Sequence, residues 1–161
     1  MNATIPTQRQ QSSARGAWPA ILTGGLIAGS LDILAAALIN WIDPRIILRF
    51  IAGGVQGKAA LQGGAASAWV GLILQWGMSI VIAAIFVAAA LHLRWMTQRW
   101  IVAGFAYGFV VFVVMNYVVM PLSAWHRINH YAPMSFAWNL LAMLVFGLII
   151  AFFTRNSLRQ A

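Results

Sequence analysis

Four stretches of the chain are apolar almost without interruption, and short polar or basic pieces separate them. They run over about 18–41, 66–92, 100–122 and 134–154. At 1.5 Å rise per residue, even the shortest is about 31 Å long as a helix, enough to cross a ~30 Å hydrocarbon core. The pattern predicts an all-α integral membrane four-helix bundle. Between the first two spans the pattern changes. Asp43-Pro44 has the form of a helix start, with aspartate as cap and proline at the first helical position. The following residues put Ile46, Ile47, Phe50 and Ile51 on one face and Arg45 and Arg49 on the other. That predicts a short external amphipathic helix lying on the membrane surface. Five glycines between Gly53 and Gly64 then suggest a broken or re-entrant piece, so 44–64 is read as interfacial or re-entrant.

Within the spans, small residues fall at helical spacing. Gly25, Ala28, Gly29, Asp32 and Ala36 share one face of the first, and Gly104 and Gly108 repeat the four-residue interval in the third. These are read as packing faces that let another helix come close. Pro121 ends the third span. Residues 1–17 are expected to be a disordered tail, and 155–161 a second tail.

Composition removes several function classes. Of 161 residues, 62% are hydrophobic and 7% charged, with mean hydropathy +0.83, so most of the surface must face lipid. The net charge of +8 would suggest nucleic acid in a soluble protein. Here the basic residues stand at the ends of apolar segments, where they anchor and orient the spans. No nucleic acid is therefore expected. The absence of cysteine rules out disulfides, thiolate metal sites and cysteine nucleophiles. Two acidic residues, Asp32 and the cap Asp43, leave little for acid–base catalysis. An enzyme is not expected, nor a cofactor, nor a metal.

Four spans place both termini on one side. That side holds Arg9, Arg15, Arg94, Arg99, Arg155 and Arg159, and the other holds Arg45, Arg49, Lys58 and Arg127. The bias favours both termini in the cytoplasm.

Candidate chemistry rests on the intramembrane polar residues. These are Asp32, Gln75, Ser79, Asn116 and Asn139, and the carboxyl and the three amides all fall in the outer half of their spans. The amides alone read as interhelical glue. A carboxyl in a span is costly, about 2.5–3.5 kcal/mol to insert even on the lenient scale, and reads as functional. The four could meet as one cluster with Arg49 or Lys58 as counter-charge. A protonated, hydrogen-bonded Asp32 would instead make the site proton-sensing. His126 and His130 are four apart beside Trp125 and Tyr131, and they read as an aromatic interfacial belt rather than a metal site. His92 marks the end of the second span.

Three motifs carry a family resemblance: AGSLDILAA, ILRFIAGGVQGKAALQGG and AGFAYGFVVFVVMNYVVMPLS. Together they resemble a widespread group of small four-span bacterial membrane proteins, and more distantly the YagU-like inner-membrane proteins linked to acid resistance. The likeness covers about residues 24–123, with matching positions Asp32, Arg49, Gly57, Gly63, Gly64, Asn116 and Pro121. That group carries no established activity. A histidine often stands there in the place of Gln75, and an amide does not titrate near neutral pH. The reading is a small inner-membrane protein acting as a membrane subunit or an acid-stress factor. The alternative is a transporter or channel component using the outer polar cluster. Expected partners are the lipid bilayer and other membrane proteins or further copies of this chain.

Overall fold

The computed structural model describes residues 5–126 and 133–160, with side chains described for 16–126, 134–159. The described residues are 93% helical, and no strand occurs among them. The long helices are α1 (Ile5–Asn40), α3 (Gly64–His92), α5 (Trp100–Val114) and α7 (Pro133–Gln160). Helix α2 (Pro44–Gln56) joins α1 to α3, and α4 (Arg94–Gln98) joins α3 to α5. A π turn (Met115–Val119) carries α5 into the short α6 (Met120–Leu122). Four stretches are long and apolar enough to cross a membrane: Gly16–Asn40, Gly64–His92, Trp100–Leu122 and Met134–Arg159. The protein is a multi-pass membrane helical bundle.

Packing does not follow chain order. Helix α7 lies along both α1 and α5, and α1 lies along α3. The spatial sequence of spans is therefore second, first, fourth, third. The core runs through the middle of all four, with Ala28, Phe86, Val111, Phe146 and Ile150 buried in one cluster. Tyr107 closes the ring, since its hydroxyl donates to the Ile82 carbonyl at 2.7 Å and its ring meets Phe86 edge-on.

The two tails expected from sequence are helical where described. Helix α1 starts at Ile5, well before residue 18, and α7 continues to Gln160, past 154. The stretch from 7 to 15 holds good or neutral helix formers without glycine or proline, so nothing local stops the helix. Ala17 and Ala20 then seat it against Val87. At the other end, buried Thr154 and partly buried Leu158 keep α7 on the bundle, and Arg155 lies 5.3 Å from the Trp100 ring centroid.

The corner between α1 and α2 is built locally. Trp41 takes φ 52°, and Ile42 N–H reaches the Ala37 carbonyl at 3.1 Å, closing the helix end in a Schellman arrangement. The Asp43 carboxylate accepts from Arg45 N–H at 2.7 Å, capping α2 behind Pro44. Helix α2 then crosses α3 where the Leu48 carbonyl meets Gly71, a position with no room for a side chain. At its far end, Trp125 stacks on Phe50 at 4.6 Å and donates from Nε1 to the Phe50 carbonyl at 3.1 Å. Ala124 N–H adds a bond to Gly54 O, and Ser67 Oγ one to Gln56 Oε1. Phe50, expected from sequence to anchor in lipid, is instead engaged by the protein's own turn after the third span. A 3-10 turn (Gly57–Gln62) leads on to α3, with Gly57 and Gly64 at φ 66° and 63° where a Cβ would be strained.

Candidate functional site: a carboxyl between two helices

The site forms where α1 and α3 come closest. A Cβ at Gly25 would lie 3.0 Å from Ile80 Cα, and one at Gly29 would lie 2.5 Å from Ser79 Oγ. The missing side chains on α1 bring the two backbones together at Ser79 and Ile80. One turn along from Gly29, Asp32 then faces Gln75, one turn along from Ser79. Gln75 Nε2 donates to Asp32 Oδ2 at 2.9 Å. Trp76 Nε1 donates to Ser30 Oγ at 3.2 Å on the flank of the same seam.

Asp32 is half-buried, and Gln75 and Ser79 are buried. On one side the carboxyl borders a small space of about 20 Å³, shared with Gln75, Ser79, Met115 and Met143. That is room for about one water molecule. On its other side a groove of about 280 Å³ runs between α1 and α7, walled by Leu31, Leu38, Trp138, Leu141 and Phe146, and reaches Asp32. The carboxyl is thus the polar floor of an otherwise apolar groove.

The four polar residues expected to meet do not share one network in the same way. Asp32 and Gln75 are joined. Asn116 is buried and donates to the Phe112 carbonyl at 2.9 Å, and Asn139 donates to the Ser135 carbonyl at 2.7 Å, each within its own helix. The reason in each case is local. A short amide one turn past a carbonyl can place one of its donors there. Asn116 also lies in the π turn. Pro121 has no N–H and its ring crowds the carbonyl four residues back. The helix widens before it, and Met120 N–H reaches the Met115 carbonyl.

Neither expected counter-charge pairs with Asp32 among the described residues. Lys58 is exposed on the 3-10 turn. Arg49 turns into a cavity between α2 and α3 instead. Helix α2 is held against α3 at Gly71 and against Trp125, and its Arg45 and Arg49 line the cavity toward α3. Ser79 belongs to the site although the amides drew attention first. Its signal was present in the four-residue step from Gln75, which puts both on the face that meets Gly29.

The histidine pair falls partly outside the described residues, which end at His126 on this side of the gap. No three His, Cys, Asp or Glu residues gather among the described residues. The second glycine pair has a different surrounding. Cβ atoms at Gly104 and Gly108 would each lie 2.9 Å from a backbone Cα of α7, that of Leu148 and of Leu144. Gly147 of α7 faces both, so backbone meets backbone there.

No family model, curated protein or solved structure matches the chain.

Proposed function

We propose that this chain is a small multi-pass protein of a bacterial inner membrane, with both termini in the cytoplasm, acting as a membrane subunit or acid-stress factor through one proton-exchanging carboxyl, Asp32. The observation that carries the reading is the Gln75–Asp32 hydrogen bond, with no Lys or Arg among the described residues paired to that carboxyl. An amide suits both states of a carboxyl. Its NH₂ donates to the ionised form, and a half-turn of the amide presents its oxygen to the protonated form. The neighbouring space of about 20 Å³ fits a water to relay a proton, not a hydrated ion. The six-to-four excess of Lys and Arg on the terminal side supports the orientation.

A second reading, a transporter or channel component, rests on the groove of about 280 Å³ that reaches Asp32 between α1 and α7. One experiment separates the two. The full chain is reconstituted in vesicles, and the carbonyl stretch of a protonated carboxyl is followed by infrared spectroscopy as pH changes. A band that titrates in the wild type and is missing in Asp32→Asn, with no proton or cation flux above protein-free vesicles, is the expected result. Asp32-dependent flux would move the assignment to a transporter. A spectrum unaffected by Asp32→Asn at every pH would remove the proton-exchanging role.

A further inference from the structure

The cavity between α2 and the first turns of α3 is separate from the Asp32 site. It measures about 380 Å³, within the ~300–1,000 Å³ span of ligand pockets. Arg45 and Arg49, one helical turn apart, line one side. Ala65, Ala68, Trp69 and Leu72 of α3 line the other, with the indole of Trp69 65% exposed.

Arg49 is the unusual member. Its Nε is shielded from solvent and has no hydrogen-bond partner. Arg155 shares that property, but its guanidinium lies over the Trp100 ring. No ring among the described residues is stacked on Arg49 in this way. A shielded guanidinium N–H is costly to leave unpaired, and an acceptor seated in the cavity would complete it. The nearby carboxylate, Asp43, is already committed to capping α2 through Arg45 N–H. The remaining charge of the pocket is positive.

Position narrows the ligand. The α3 residues of the wall belong to the first turns of a membrane-spanning helix that starts at Gly64. This is the depth of headgroups and glycerol, and an exposed tryptophan is at home there. Two forked guanidinium groups match a phosphate in geometry and charge, while Leu48, Trp69 and Leu72 offer an apolar wall for the start of acyl chains. We propose that the cavity between α2 and α3 seats the phosphodiester of an anionic phospholipid, held by Arg45 and Arg49. A second arginine disfavours a zwitterionic headgroup, whose cationic end would meet it.

The test uses the full chain extracted from vesicles of equal phosphatidylglycerol and phosphatidylcholine, with retained lipid counted by native mass spectrometry. The wild type should keep phosphatidylglycerol in preference to phosphatidylcholine. Arg45→Gln with Arg49→Gln should lower that retention about tenfold. Ala68→Leu, which fills the cavity and leaves both charges, should lower it as well, and this variant carries the test if the double arginine variant fails to fold. Arg94→Gln with Arg99→Gln, at the opposite end of α3, should leave it unchanged. Free glycerol phosphate at millimolar concentration should not displace the lipid. Undiminished retention in the Arg45/Arg49 variant would overturn the proposal. So would undiminished retention in Ala68→Leu, which would mean diffuse attraction without a seat. An equal loss in the Arg94/Arg99 variant would do the same. Displacement by glycerol phosphate would reassign the cavity to a soluble phosphate.

Discussion

Two seams of this bundle are built on the same four-residue glycine step, yet they do different work. Along α5 and α7, Gly104 and Gly108 press against Gly147 and its neighbours, and the atoms nearest to each are backbone atoms and the Ala151 methyl. Along α1 and α3, Gly25 and Gly29 press against Ser79 and Ile80, and one turn further on a carboxyl meets an amide. Glycine spacing therefore marks where helices can touch. What the seam can do depends on the residue that follows on the same face. In the first seam the contact is backbone on backbone, stiff and dry. In the second, part of the contact is a hydroxyl and a hydrogen-bonded pair beside a small cavity, which can rearrange.

This contrast is sharpest under substitution. The largest effect is expected at the dry seam. Gly108→Leu would drive a side chain into the α7 backbone around Leu144, where neither helix can give. A loss of about 3 kcal/mol or more is expected, read as loss of the folded fraction in detergent unfolding curves. A Gly108→Leu protein that melts like wild type would mean that the α5–α7 contact is not tight.

At the polar seam, Asp32→Leu comes next. It strands the Gln75 Nε2 donor, at an expected cost of about 1–3 kcal/mol. Asp32→Asn keeps a partner for Gln75 and should cost less than about 1 kcal/mol while abolishing the titrating infrared band. Equal loss for both variants would show that the charge or proton, and not the hydrogen bond, holds the pair.

Gly29→Ala tests how far the polar seam can give. Its Cβ meets the Ser79 hydroxyl, which can rotate away, so the expected cost is about 1 kcal/mol, and Gly29→Ala with Ser79→Ala should recover most of it. Failure of the second change to rescue the first would place the clash on the backbone, as in the dry seam. An effect of similar, small size is expected from Tyr107→Phe, which removes one bond to the Ile82 carbonyl between α5 and α3 and should cost about 0.5–1.5 kcal/mol. A larger loss would mean that this hydroxyl, more than the glycine contacts, closes the bundle.

The sequence alone determined the spans, because the apolar length that crosses a membrane is written in consecutive residues and needs no partner. It determined the start of α2 for the same reason. Asp43 and Pro44 are adjacent, and the cap reaches only as far as Arg45 N–H. It also placed small residues on the faces of α1 and α5, but it named no partner for either. Only the tertiary structure decided that α7 lies between α1 and α5, that Asp32 takes Gln75, and that Asn116 and Asn139 turn to their own helices. Only it turned Phe50 onto Trp125, 75 residues away, and sent Arg49 into a cavity against α3 instead of toward Asp32. Periodicity fixes which residues share a face, whereas the rotation of that face depends on close contacts such as Leu48 on Gly71, made between segments far apart in the chain.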